Sequence, residues 1–282
     1  MLPEPPGVVV EPPLMNAERP PAMTAVAVLG ASNVSRGLSR LVATLAVRPG
    51  GPADLFVAAG HGRSYGANSR VWMRRLPSIL GCGLWRALDR QGFGADTRRR
   101  GSLHALVTDV GNDLLYGFPV DQVAGWVREG VSRLAARGAT IAITRLPLES
   151  IDRVGAVRYQ LLRTLYVPGC PLSLEELKQA ATRLDAALVG IARDAGVAII
   201  DQPGEWYALD AIHVRRRRLD ELWGRACDAW GLAAAASAPR ASVARWATVG
   251  SQTAEVRSLA GAMLFTPQPV LRPPGGPRLF LY

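Results

Sequence analysis

Residues 24–37 read Thr-Ala-Val-Ala-Val-Leu-Gly-Ala-Ser-Asn-Val-Ser-Arg-Gly. Six apolar and β-branched residues run into a glycine, a serine follows, and a helical pattern begins. The short apolar run reads as a strand buried on both faces, and the serine sits on the turn that feeds the helix. Working outward, four more runs have the same character: Leu55–Ala59, Leu103–Val110, Thr140–Thr144 and Val197–Ile200. Between them lie segments of helical spacing. Val123, Val127, Val131 and Leu134 line one face of residues 120–137, and Ser173-Leu-Glu-Glu176 is a capping box opening a helix that stops at Gly196. Alternation of this kind predicts a doubly wound α/β fold.

In such a sheet, ligands bind beyond the carboxyl ends of the strands. The residues just after each strand therefore decide the chemistry. After the first comes Ser32, with its amide at a helix N-terminus, where negative charge is stabilised. That suits a nucleophile, and it equally suits a helix cap. After the second comes Gly60, between Ala59 and His61; a glycine there offers a backbone N–H to a ligand or simply ends the strand. After the third comes Asp109-Val-Gly-Asn112-Asp113, whose asparagine is a side-chain donor or a turn residue. After the fifth comes Asp201, then Asp210-Ala-Ile-His213, holding one of only three histidines. The three-residue spacing lets the carboxylate reach Nδ1 and leaves Nε2 free to act as a base. His61 is the rival imidazole.

Serine, glycine, asparagine and Asp-x-x-His thus stand in that order at successive strand ends. This resembles the SGNH, or GDSL-type, hydrolase family, over about Met23 to Trp230, through Ser32, Gly60, Asn112, Asp210 and His213. The resemblance implies a flavodoxin-like α/β/α sandwich with a five-stranded parallel sheet. It implies Ser32 as nucleophile, His213 as general base and acid, and Asp210 as its orienter. The oxyanion hole would be the amides of Ser32 and Gly60 with the Asn112 side chain. The expected reaction is cleavage of a small-molecule acyl ester, with no metal and no organic cofactor. Two positions depart from the family pattern: Ala31 replaces the usual aspartate before the serine, and Val110 fills the usual glycine position of the third block. They leave a non-catalytic binding or assembly protein of the same fold as the alternative. A dinucleotide-binding fold is disfavoured, because Gly30…Gly37 has the wrong spacing and the second strand ends without a ribose-binding acid.

Composition narrows the classes further. The chain has 282 residues, 49% hydrophobic and 20% charged, which excludes a disordered chain. No apolar run is long enough to span a membrane. Cys82, Cys170 and Cys227 are odd in number and far apart, so free thiols in a reducing, cytoplasmic compartment are expected. The net charge is +10, and all basic residues but Lys178 are arginine, a mark of GC-rich coding. The densest runs, Arg98–Arg100 and Arg215–Arg218, do not alternate with aromatics, so they read as solvated faces and no nucleic-acid partner is expected. Residues 1–22 hold seven prolines and no signal-peptide pattern, and are expected to be a disordered extension. Residues 233–282 read as an Ala/Pro-rich tail in which Leu279, Phe280 and Leu281 could dock on the body.

Overall fold

The structure is a computed structural model that describes residues 24–71, 73–94, 101–167, 169–207, 210–235, 237–273 and 275–282. The proline-rich extension and the Arg98–Arg100 run lie outside the described residues. Five parallel strands form the centre: β1 (Ala25–Leu29), β2 (Asp54–Ala58), β5 (Leu103–Val107), β6 (Thr140–Thr144) and β7 (Ala198–Ile200). Their order is β2-β1-β5-β6-β7, and every pairing is parallel. The order reverses between β1 and β5, and a crevice opens there beyond the strand ends.

Side-chain alternation assigns the two faces. Ala25, Ala27 and Leu29 pack with the helices α2 (Leu84–Leu88), α4 (Val120–Ala136) and α7 (Leu174–Ala195). Val26 and Val28 pack with α1 (Ser32–Ala46) and α8 (Leu219–Ala229) on the other side. The α/β/α layering expected from sequence is therefore present. The capping box at Ser173 is formed, and Gly196 ends α7 in the left-handed conformation. No helix among the described residues is long and apolar enough to cross a membrane. The three cysteines are free and buried.

The strand count is six, not five. β10 (Arg278–Leu281) joins the sheet beside β2, again in parallel. Leu279 and Phe280 are buried on opposite faces, and Phe280 stacks on Phe56 at 4.5 Å. Arg278 forks onto the buried Asp54 at 2.5 and 2.7 Å. An Arg-carboxylate fork supplies the edge specificity that a four-residue strand lacks on its own. The supposed tail also contains α9 (Val243–Gly250) and the strands β8 (Val256–Leu259) and β9 (Ala262–Phe265). These strands build a second, antiparallel sheet with β3 (Ser69–Val71) and β4 (Arg74–Leu76). The third strand is also shorter than expected. It stops at Val107, and Asp109 leaves the β region altogether with φ of 58°.

The remaining helices, α3 (Asn112–Leu115), α5 (Leu148–Asp152) and α6 (Ala156–Tyr166), border the crevice. One glycine fixes how closely α1 meets α8: a Cβ on Gly37 would lie 2.7 Å from Cζ2 of Trp223, a fully buried ring. Gly37→Ala is expected to destabilise by about 1–3 kcal/mol from overpacking, despite the helix propensity gained. Gly190→Ala in α7, where nothing lies within 4 Å of the added carbon, is expected to stabilise by up to about 1 kcal/mol. Thermal melts of the two variants check the opposite signs.

Candidate active site

The turn from β1 into α1 has no local cap, because Ala31 stands at the N-cap position with no side-chain acceptor. The acceptor arrives from the end of β5. Asp109 Oδ2 takes the N–H groups of Ala31 at 2.9 Å, Asn33 at 3.0 Å and Val34 at 3.4 Å. Three of the amides that a helix start leaves orphaned are thereby satisfied by one carboxylate. The Ser32 N–H, between them, makes no hydrogen bond to a described residue.

Asn33 carries the connection onward. Its Nδ2 donates to Asp109 Oδ1 at 2.8 Å and to the Ile212 carbonyl at 3.0 Å, and its Oδ1 accepts from the Val214 N–H at 2.9 Å. The loop that holds His213 is thus fastened to the residue after Ser32. In that loop Ala211 adopts a left-handed conformation, φ 59°, rare for a residue with a Cβ. The turn brings His213 back over Asp210. The His213 backbone N–H donates to Asp210 Oδ1 at 3.0 Å, and Nδ1 lies 2.7 Å from Oδ2. On the far side of the ring, Nε2 is 3.0 Å from the Ser32 hydroxyl. Residues 181 positions apart in sequence therefore form one hydrogen-bonded series, serine to imidazole to carboxylate.

Burial pushes the Asp210 carboxyl up, but the side-chain hydrogen bond and charge of His213, its backbone N–H and the nearby Arg36 outweigh it. The net result lies below the usual carboxylate range, so Asp210 stays ionised beside the imidazole. His61 makes no hydrogen bond to Ser32. Burial, with the charges of Arg74, His213 and Arg36, lowers its pKa against an opposing pull from Asp109. It therefore sits within electrostatic range of the site as an uncharged neighbour.

Gly60 follows β2 and Asn112 opens α3, and the segments after them are joined through Tyr65 and Asp113. The Tyr65 hydroxyl shares its one proton between the carbonyls of Thr108, at 2.7 Å, and Leu29, at 3.1 Å, the residue after β5 and the last of β1. The Tyr65 N–H donates to Asp113 Oδ2 at 2.9 Å. Close packing restricts Gly60, where a Cβ would meet Leu76 Cδ1 at 2.5 Å. Neither the Gly60 N–H nor the Asn112 side-chain amide bonds to another described residue. Asn112 lines a narrow apolar hollow with Asn33, Asp109 and Leu146. A second hollow, lined by Asp210, Tyr159 and Leu162, shares Leu115, Ile151, Leu177 and Ile212 with the first. Among the described residues no three His, Cys, Asp or Glu side chains converge as a metal-ligand cluster.

Asp109 and Asn33 were not singled out by sequence reasoning. The signal for Asp109 is topological: once β5 is known to lie beside β1, with Leu29 opposite Val107, an acid two residues past the strand faces the uncapped helix.

Asp109→Asn keeps an acceptor but sets an amide N–H₂ against Asn33 Nδ2 and removes the charge at the helix start. We expect a loss of about 1–3 kcal/mol, read as a lower melting temperature. Asp113 gives a pH test. Burial raises its pKa to about 6, against hydrogen bonds from Ser64 and the Tyr65 amide. Its folded value exceeds the unfolded one of about 3.9, so its stabilising contribution is complete below that value and fades as pH rises through about 6. Asp113→Asn cannot titrate. The melting temperature of the wild type, minus that of the variant, is expected to rise as the pH is lowered from about 7.5 to 5. A flat difference would contradict the assignment.

No protein-family model and no curated protein matches the sequence. Among solved structures the chain is similar to TesA, with 14% identity, 73% of this chain and 97% of that one covered, and a TM-score of 0.44. It is similar to the psychrotrophic esterase EstA from Pseudoalteromonas sp., with 14% identity, coverage of 73% and 95%, and a TM-score of 0.42. A GDSL-like lipase from Bacteroides thetaiotaomicron is similar at 11% identity, with coverage of 71% and 83% and a TM-score of 0.41.

Proposed function

We propose that the chain is a serine hydrolase of the SGNH type that cleaves acyl esters. The observation that carries this reading is the series Ser32 Oγ, His213 Nε2, His213 Nδ1 and Asp210 Oδ2, with separations of 3.0 and 2.7 Å. Both distances are those of a nucleophile, its base and the base's orienter. Ser32 attacks the ester carbonyl as His213 takes its proton. The tetrahedral oxyanion is met by the N–H groups of Ser32 and Gly60 and by the Asn112 amide. His213 then protonates the leaving alcohol, and water repeats the sequence to free the acid. Each oxyanion donor is worth about 2.7–4 kcal/mol in such a transition state. That three donors of the expected kinds are left without partners supports this assignment. The apolar hollows flanking Asn112 and Asp210 suit the acyl chain. Both departures from the family pattern leave the reacting groups in place. Ala31 costs a carboxylate that Asp109 replaces, and Val110 is buried below the turn.

Ser32→Ala is expected to lower kcat by at least about 10³-fold on 4-nitrophenyl esters, with the melting temperature unchanged. His213→Ala should match it, and the double variant should lose no more than either alone, because the pair acts as a unit. Asp210→Asn should cost about 10³–10⁴-fold through the wrong imidazole tautomer. A fluorophosphonate probe should label Ser32 in the wild type and not in His213→Ala. Equal labelling of both proteins, or ordinary turnover by Ser32→Ala, would remove the assignment and leave a binding protein of this fold.

A further inference from the structure

Two hairpins make the second sheet. β3 and β4 form one, β8 and β9 the other, and β4 pairs with β8 to join them. The inner face of this sheet packs on the body: Ser69 and Leu76 are buried, and Leu76 lies against Gly60. The register sets the outer face. Arg70, Arg75, Ser258 and Met263 stand opposite one another across the four strands, and alternation adds Phe265 to the same face. Residues 69–76 and 256–265 contain four arginines, Arg70, Arg74, Arg75 and Arg257, and no Asp or Glu.

The same surface is apolar. Phe265 is 73% exposed, Met73 66%, Met263 57% and Leu259 46%. They are four of the twelve large apolar side chains exposed among the described residues, and all four lie on these two hairpins. A lone exposed apolar residue needs no explanation, whereas a group of them bordered by charge marks an interaction surface. The hairpin tips also coincide. The Ala260 N–H donates to the Met73 carbonyl at 3.0 Å, and Ala260 and Gly261 form a left-handed turn beside it. Met73, Leu259, Ala260 and Gly261 thus make one exposed leading edge.

Exposed Met and Phe side chains beside long arginines fit a partner that is apolar below and anionic above. The arginine stems lie along the apolar layer while their guanidinium groups reach phosphates. Arg70 and Arg75 are directly opposite each other, and phosphates between them offset the repulsion of like charges in that position. A second copy of the chain is the rival occupant. The Thr266 N–H donates to the Glu255 carbonyl at 2.8 Å, so by alternation the N–H groups of Met263 and Phe265 point away from β8, along an uncharged edge. Pairing two such edges would bring together two chains of net charge +10 and leave the tips at Met73 and Leu259 uncovered. Charge complementarity favours an anionic lipid surface over a second copy.

We infer that the outer face of this sheet docks on an anionic lipid bilayer. Met73, Met263 and Phe265 enter the boundary between headgroups and acyl chains, and Arg70 and Arg75 contact lipid phosphates. The chain lies on the bilayer and does not span it. A Cβ on Gly62 would lie 2.7 Å from Val71 Cγ2, so the sheet packs directly on the segment Gly60–Gly62, and docking sets that segment beside the lipid. This surface is separate from the Ser32 relay, and its docking requires no particular reaction there.

Sedimentation with vesicles tests the inference on the full chain. Vesicles of phosphatidylcholine are compared with vesicles carrying about 30 mol% phosphatidylglycerol, at about 0.1 M and about 0.5 M salt. Three double variants at exposed positions are compared with the wild type: Met73→Ser/Phe265→Ser, Arg70→Gln/Arg75→Gln, and Arg216→Gln/Arg217→Gln as a charge-matched control outside the sheet. The wild type is expected to bind the anionic vesicles and to bind them less at the higher salt. The first two variants are expected to bind about tenfold more weakly with unchanged melting temperatures, and the control to bind as the wild type does. Absence of wild-type binding, equal binding to phosphatidylcholine alone, or an equal loss in the control would overturn the docking surface. A light-scattering mass of two chains, lost in Met73→Ser/Phe265→Ser and accompanied by no vesicle binding, would assign the face to a second copy instead.

Discussion

The carboxylate of Asp109 is the point on which the site is built. A helix start must place several N–H groups, and at Ala31 the sequence provides no side chain to receive them. Asp109 receives three, and through Asn33 it reaches the loop that presents His213. The serine turn and the histidine loop are therefore positioned by one connected set of bonds. The Ser32 N–H is skipped by this set and stays available to a ligand. The cost is a left-handed backbone at Asp109 itself, a conformation aspartate tolerates better than most residues.

That arrangement is possible only because β1 and β5 are neighbours at the reversal of strand order. Their register sets Leu29 beside Val107, so whatever follows one strand meets whatever follows the other. Tyr65 uses the same junction, its hydroxyl bridging the carbonyls of Leu29 and Thr108 and its N–H reaching Asp113. Gly60 lies five residues before Tyr65 and Asn112 one before Asp113, so the bond between these two anchors ties their segments together. The site is thus a property of the sheet's order more than of any single loop.

The sequence was legible wherever local pattern coincided with global burial. Buried parallel strands read as apolar runs, and the central five were found within a few residues of their ends. Ser32 and Gly60 stand just past β1 and β2, whereas Asn112 lies five residues beyond β5 and Asp210 ten beyond β7, where no local pattern fixes the distance to the serine. Elements held by distant partners were not legible. β10 is four residues long amid prolines, and its decisive contact, Arg278 with Asp54, spans 224 positions. The strands β3 and β4 are three residues each and rich in arginine, without the alternation that marks a half-buried strand. Asn33 resembles any helix-start asparagine until its partners at Asp109, Ile212 and Val214 are known. The run Arg215–Arg218 shows the same limit for charge. Composition treats its four members alike, while the fold leaves Arg216 and Arg217 exposed and pairs Arg218 with Glu221.

Two carboxylates near the crevice are driven in opposite directions. Asp113 is buried with few compensating donors, and its pKa rises to about 6. Asp210 is also penalised by burial, yet two hydrogen bonds from His213 and the charge of Arg36 hold it below the usual range. Environments that split equivalent groups in this way commonly separate a group that must stay charged from one that need not. Asp210 can orient an imidazole only as an anion, because an amide or acid in its place can favour the other tautomer. Asp113 has a structural task, receiving the Tyr65 amide, and its oxygen accepts that bond in either protonation state. Mild acid therefore neutralises the anchor of the Gly60 segment without loosening it, while the carboxylate behind His213 keeps its charge.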